Sequence, residues 1–243
     1  MAKSKGIGTI FQEETKLTRQ NALGEPLDWK TRPKVYKEYP ESFKIPLPAV
    51  SEIKTDFFET LKKRKSERDF ASGPLSQKTL SLLLWAAGGI GRVENGFKFR
   101  TVPSAGALYP LETYLAISDV EGLERGIYHY SVRDHSLELL ERGFYGKYLA
   151  QATLGDGMCN SAQAVFIWSA VFYRALWKYA ERAWRYLYLD AGHLAQNLLL
   201  ATAALGLSSC PIAAFLDDEI NSLLKLDDQE ENVLYLCAVG KKK

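Results

Sequence analysis

The chain of 243 residues is poor in the side chains that most often bind metal, with three histidines, three cysteines and two methionines. Cys159, Cys210 and Cys237 are widely spaced and odd in number, with no C-x-x-C pair and no histidine cluster. That excludes a disulfide framework and a zinc site as organising features, and no bound metal is expected. Charge of one sign is also lacking: 31 basic and 29 acidic residues are scattered along the chain and leave a net of +2, which is no footprint for nucleic acid. No apolar run reaches the roughly 18 residues of a membrane span. The charged opening Met1-Ala-Lys-Ser-Lys has no apolar stretch behind it that would make a secretory leader, so a cytoplasmic protein is expected. Internal repeats are missing, as are a G-x-G-x-x-G after a strand and a G-x-x-x-x-G-K-[ST] loop, which removes Rossmann and P-loop binding modes.

What is present is an ordinary globular balance, 47% hydrophobic and 25% charged, in a chain long enough to bury a large core. Residues 1–50 are polar and broken by Pro26, Pro33, Pro40, Pro46 and Pro48. They read as an extended arm, with a short helix near Gly8 to Leu17, and residues 51–243 read as the folded domain. Helical patterns cover 56–70, ending in a basic cluster, and 77–87, where Ser76 supplies a cap and Gly88-Gly89 a stop. A polar connecting segment, 91–99, leads to a loop built on Pro103-Ser-Ala-Gly106. Strands are predicted over 112–118, 126–131 and 136–140, then a helix over 145–154. The run Gln163 to Phe172 is almost continuously apolar and suits a strand covered on both faces. A last helix near Asp217 to Leu224 and a strand over 232–240 close the chain. Helices and strands mix without a regular βαβ alternation, which favours an α+β fold.

The stretch from Phe172 to Leu207 joins a cationic, aromatic entrance to a long apolar helix. From Ala183 onward Trp184, Leu187, Ala191, Leu194, Ala195 and Leu198 follow one helix face. Ala191, Gly192 and Ala195 leave room for a second helix or a second subunit to come close. His193 lies just off that face, where a structural imidazole is favoured over a catalytic one. His129 alternates with Tyr128 and Tyr130 and is expected on the opposite side of the sheet; His135 reads as a turn residue.

Several short stretches have the chemistry of a site. Arg64, Ser66 and Arg68 combine two guanidinium forks with a hydroxyl, a set that suits a phosphate monoester as well as a solvated basic surface. Pro103 to Gly106 and Pro211-Ile-Ala-Ala214 offer backbone groups that a flat ligand can approach, and either can equally be a plain turn. Lysines 241 to 243 form a cationic end.

In this order, the motifs Arg64-Lys-Ser-x-Arg68, Pro103-Ser-Ala-Gly-Ala-Leu-Tyr-Pro110, Arg174-x-x-x-Lys178-Tyr179-x-x-Arg182 and Ala191-Gly-His-x-x-Gln-Asn197 resemble those of the FMN-dependent nitroreductase superfamily. The likeness is closer to its SagB-type dehydrogenase branch, which includes the azoline oxidases of thiazole/oxazole peptide biosynthesis. The resemblance spans about residues 55–241. It implies a homodimeric α+β fold with a central, mostly antiparallel sheet and FMN at the dimer interface. Arg64, Lys65, Ser66 and Arg68 would hold the phosphate and ribityl chain, with Lys241 near the phosphate. Pro103, Ser104, Ala105 and Gly106 would line the ring from the partner subunit. Pro211, Ile212, Ala213 and Ala214 would bring backbone to the flavin N5.

By the same resemblance, Lys178 and Tyr179 are the catalytic pair. Azoline oxidation removes a proton and a hydride, and a lysine of ordinary pKa about 10.4 needs desolvation or neighbouring positive charge to act as the base. Arg174, Arg182 and Arg185 are candidate neighbours, and a surface pair between Lys178 and Glu181 is the plain alternative. Two departures, Ala107-Leu-Tyr109 and Ala213-Ala214, remove polar groups that many nitroreductases carry near the flavin. The expected function is an FMN-dependent oxidoreductase of SagB type acting on a small-molecule or peptide substrate. An NAD(P)H-dependent nitroreductase or flavin reductase is the second reading, and a non-catalytic flavin- or ligand-binding protein the third.

Overall fold

The apolar run around Phe166 becomes a strand in the middle of the molecule. The computed structural model describes residues 6–20, 26–50, 52–155 and 157–243; Met1 to Lys5 and the expected boundary at Ser51 lie outside them. In chain order the elements are α1 (Ile7–Glu14), β1 (Phe43–Pro46), α2 (Phe57–Lys63), β2 (Phe70–Ala71), α3 (Gln77–Gly88), β3 (Ile90–Glu94), β4 (Phe97–Arg100), β5 (Leu111–Ile117), β6 (Gly126–Ser131) and β7 (Ser136–Arg142). They continue with α4 (Gly146–Ala152), α5 (Met158–Ser161), β8 (Ala164–Val171), α6 (Phe172–Tyr179), α7 (Ala183–Ala204), β9 (Leu207–Ile212), α8 (Asp217–Leu224) and β10 (Glu231–Lys242).

The strands pair antiparallel in the order β1-β7-β6-β5-β8-β10-β2, with β9 also on β10. This is the expected α+β arrangement. Side-chain alternation then divides the core in two. Leu115, Phe166 and Trp168 pack with Leu80, Leu83 and Leu84 of α3 and Leu187, Leu194 and Leu198 of α7. Ala116, Val165 and Ile167 face Leu149 of α4, Met158 of α5 and Ile220 of α8. Burying each of these leucines contributes roughly 1.5–3 kcal/mol, which is why the central strands are apolar on both sides.

Local signals set most boundaries. Ser76 Oγ accepts from the Thr79 amide at 3.1 Å at the start of α3, and Gly89, whose added Cβ would sit 2.7 Å from Trp85, follows its end. Two expectations change. The helix predicted to run to residue 70 stops at Lys63: Arg64 turns extended (φ −60°, ψ 121°) and the Glu67 amide bonds to Ser209 O of β9 at 3.0 Å. The segment 91–99 is a β3–β4 hairpin whose turn, Asn95 (φ 50°) and Gly96 (φ 79°), has the two positive φ values of a type I′ turn.

One end of the second sheet face is polar and buried. His129 lies opposite Tyr128 and Tyr130, as its position predicts, with Nδ1 2.7 Å from Glu138 Oε2 and Nε2 3.1 Å from Glu112 Oε2. Lys37, in the N-terminal region, bonds Tyr114 Oη at 2.8 Å and Glu231 Oε2 at 2.5 Å, while β1 extends the sheet at its edge. Burial works against charge on His129, but the Glu112 and Glu138 hydrogen bonds and charges outweigh it and raise its pKa. For Glu112 burial is likewise opposed, by Arg174 first and then His129, and its pKa falls to about 2.

His129→Ala takes a hydrogen-bond partner from Glu112 and from Glu138, which keep Arg174 and Lys44, so a loss of about 1–3 kcal/mol is expected. A raised imidazole pKa stabilises fully below the unfolded value near 6.5, and that contribution disappears as pH rises through the folded-state value. The gap between wild type and His129→Ala in urea unfolding should therefore shrink on the alkaline side. A gap that grows with pH would refute the assignment.

Candidate active site

The loop before β5 and the end of α6 meet at a glycine. Pro103-Ser104 leads into a single helical turn, Ala105–Ala107, in which Gly106 adopts φ 62°, ψ 18°. A Cβ on Gly106 would lie 2.6 Å from Tyr179 Oη and 2.9 Å from Lys178 Nζ, closer than side chains tolerate. Glycine suits this position twice, for the left-handed backbone and for the close approach of the two side-chain ends. Lys178 is exposed at the last turn of α6, its Nζ 5.4 Å from the Tyr179 ring centroid, and it forms no pair with Glu181. Tyr179 packs edge-on to Tyr186 at 4.9 Å. Burial, with Tyr186 and Asp190 adding to it, raises the Tyr179 pKa.

Asp190, on the second turn of α7, fixes the loop. Its carboxylate accepts from Ser104 Oγ at 2.6 Å and from the Ala105 amide at 3.4 Å. Ser104 Oγ in turn accepts from the Tyr109 amide at 3.0 Å. Burial raises the Asp190 pKa, opposed by the Ser104 and Ala105 bonds. The sequence reading passed over Asp190; an acidic residue otherwise surrounded by core-face positions of an apolar helix was the available signal.

The arginines expected around Lys178 are deployed elsewhere. Arg174 is buried, with Nη1 2.6 Å from Glu112 Oε1 and Nε 2.8 Å from Lys34 O. Arg182 and Arg185 bond Thr15 and Gln12 near the end of α1. Of the three, Arg182 alone shares a cavity wall with Lys178. His193 is exposed on α7, where the expected structural imidazole would be enclosed.

The other expected residues gather at the far end of α7. Lys65 pairs with Glu67 at 2.8 Å and lines a cationic cavity of about 350 Å³ with Lys62, Lys63 and Lys242, against Thr202 and Ser209. In the segment after α2, Arg64 and Glu67 are half-buried and Lys65, Ser66 and Arg68 exposed. Lys241 pairs across to Ala71, and its Nζ reaches Gly73. Pro211 and Ile212 end β9, and Ala213 and Ala214 are exposed just beyond.

Asp190 and Thr202 are 12 residues apart on one helix, about 18 Å at 1.5 Å per residue. The Lys178 group and the cavity lined by Lys65 therefore stand at the two ends of α7. Between them Tyr188, Leu189, Gly192, His193 and Gln196 are exposed, and nothing lies within 4 Å of a Cβ on Gly192. Among the described residues no group of His, Cys, Asp or Glu could hold a metal ion, and no helix is long and apolar enough to cross a membrane.

Comparison with known proteins adds four relationships. The nitroreductase family profile matches residues 61–241. A candidate nitroreductase of Methanocaldococcus jannaschii is 40% identical over 202 residues, covering 83% of this chain and 98% of the relative. The trifolitoxin-processing protein TfxB of Rhizobium leguminosarum is 31% identical over 140 residues, 56% of this chain and 38% of that protein. Among solved structures, a candidate nitroreductase of Anabaena variabilis superposes with a TM-score of 0.80 at 29% identity, over 97% of this chain and 46% of that one. The chain thus spans under half the length of both TfxB and the Anabaena protein.

Asp190→Ala leaves the Ser104 hydroxyl and the Ala105 amide without their acceptor, at a cost of about 1–3 kcal/mol. Hydrogen exchange at residues 105–109 should speed up about fivefold to a hundredfold, since about 1.4 kcal/mol is a factor of ten, while β8 stays protected. Unchanged loop protection would remove Asp190 from its anchoring role.

Proposed function

The chain belongs to the nitroreductase family, a family of flavin-type oxidoreductases, and we propose that it is an FMN-dependent oxidoreductase of SagB type that oxidises a ring C–C bond of an azoline to give the azole. The observation that carries this reading is the contact of Gly106 with Lys178 and Tyr179. It puts a flexible amine and a phenol beside a small-residue loop with exposed backbone. Similarity to the trifolitoxin-processing protein TfxB supports the branch.

The residues present fit FMN. Arg64, Ser66 and Arg68 would hold its phosphate by charge-assisted bonds, with Lys241 near them. Ala213 and Ala214 lie past the end of β9, Ala213 four residues from Ser209, which bonds Glu67 of this segment, or about 13 Å at about 3.3 Å per residue. When bound, FMN supplies the hydride acceptor. Lys178 would take the proton from the ring carbon that bears the nitrogen, and the adjacent ring carbon would give up the hydride. Tyr179 orients the amine, and Asp190 keeps the loop and Gly106 in register with both. Because the Lys178 group and the Lys65 cavity stand at opposite ends of α7, a complete site needs a second copy, packed on the exposed α7 face, to bring its Lys178 group to this chain's Arg64 to Arg68 segment.

An NAD(P)H-driven nitroreductase is the second reading, favoured by the 40% identity to the Methanocaldococcus relative. Anaerobic NADH or NADPH separates the two: rapid flavin bleaching supports the second reading, whereas bleaching by an azoline substrate alone supports the first.

Lys178→Ala should keep its FMN yet slow substrate-driven flavin reduction by about 10²–10⁴-fold, the usual contribution of a positioned base. Rapid-mixing absorbance would read this, and an unchanged rate would eliminate the base. Arg64→Ala should weaken FMN retention by roughly tenfold to a hundredfold, as loss of a hydrogen bond to a charged group does. Equilibrium dialysis giving full retention would take the phosphate from this segment.

A further inference from the structure

A cavity of about 590 Å³ opens beside Lys178, on the side away from Tyr186. Its walls come from three separated segments. Trp29 and Arg32 belong to the N-terminal region, Phe97 and Lys98 to the tip of the β3–β4 hairpin, and Trp177 and Lys178 to the end of α6. The three segments are held in place independently of any ligand. Trp177 Nε1 lies 3.2 Å from both Asp28 O and Thr31 Oγ1, which straps the N-terminal segment across α6. Trp29 stands edge-on to Trp177 at 5.5 Å, and the hairpin turn is the rigid Asn95-Gly96 type.

Two features of this cavity point to the same occupant. The first is aromatic surface left facing solvent: Trp29 is 66% exposed and Phe97 62% exposed, although both are large apolar rings. Such a cluster gains most from a flat partner, because ring faces and edges pair at short range and remove apolar area from water. The second is charge. Arg32, Lys98 and Lys178 line the cavity and no aspartate or glutamate does. Among the described residues none of the three is ion-paired, although most cations near the sheet have carboxylate partners. The Arg32 guanidinium, 5.9 Å from the Trp29 ring centroid, is further held over an aromatic face. A carboxylate entering here meets attraction from three sides and no like charge.

The geometry points to a planar ring compound bearing a carboxylate as the substrate class of this cavity, its ring against the Trp29, Trp177 and Phe97 wall and its acid group toward Arg32 and Lys98. This rests on the oxidoreductase reading only in taking Lys178 as the reacting end. The volume is within the range of about 300–1,000 Å³ usual for small-ligand sites. A neutral ring of the same shape would use the aromatic wall and forgo the cations, so the acid group is the discriminating element.

The test is isothermal titration of the purified protein, as isolated with its flavin, with 4-nitrobenzoate and 4-nitrobenzamide, which share shape and differ in charge. The acid should bind about tenfold or more tightly than the amide at low ionic strength, and added salt should erode the difference. The double variant Arg32→Gln, Lys98→Gln should lose the preference while keeping the wild-type flavin content and melting temperature. Equal affinity for acid and amide, or a preference that survives in the double variant, overturns the proposal. The two readings fail separately. A protein that binds no flavin yet prefers the acid refutes the oxidoreductase and upholds the cavity, and a flavoprotein indifferent to the acid group does the reverse.

Discussion

The ion pair between Glu112 and Arg174 ties the chemistry of this chain to its scaffold. Glu112 is on β5, near the centre of the sheet, and Arg174 is in the first turn of α6; their 2.6 Å contact is fully enclosed. A buried pair of this kind persists only if the remaining donors and acceptors are satisfied. Here His129 takes the second carboxylate oxygen, the Lys37 amide bonds the first, and Arg174 also bonds the carbonyls of Lys34 and Tyr109. One helical turn later comes Lys178. The arginine expected to tune the lysine electrostatically instead sets where its helix begins, so removing it would displace the candidate site mechanically.

The second constraint is the break between α6 and α7. Ala180 has φ 43°, ψ −139°, a conformation outside the helical region, and a short turn over Ala180–Arg182 separates the two helices. The break frees the end of α6 to lean on Gly106 while α7 continues through the core. Lys178 is therefore exposed and near the loop, whereas Asp190, two turns into α7, is buried and holds that loop from below. A single straight helix could not satisfy both.

Much of the fold was legible because its signals are local. The strands over 126–131 and 164–171 and the helix over 77–88 follow hydrophobic periodicity, a Ser76 cap and a glycine stop. The long apolar helix expected from Ala183 onward is α7, while the break that precedes it at Ala180–Arg182 was not foreseen. The β3–β4 hairpin was missed although Asn95-Gly96 is a strong turn signal, because the flanking Arg92, Glu94 and Lys98 disguise the alternation of an exposed ribbon. The early end of α2 had no such signal. It follows from the bond of Glu67 to Ser209, 142 residues away in the chain, which no window of sequence contains.

By itself the sequence determined the α+β class, the apolar core strands, the order of the motifs and the residue types available for chemistry. These depend on composition and on periods of two and 3.6, which neighbouring residues carry. Tertiary structure alone decided that Lys178 and Tyr179 stand against Gly106, that Asp190 anchors the loop, and that Arg174 belongs to the scaffold. It also placed the cavity of Lys65, at Thr202, some 18 Å along α7 from Asp190, by the helical rise of about 1.5 Å per residue. Each of these is a contact between residues far apart in the chain, and a local pattern holds no information about where such segments meet.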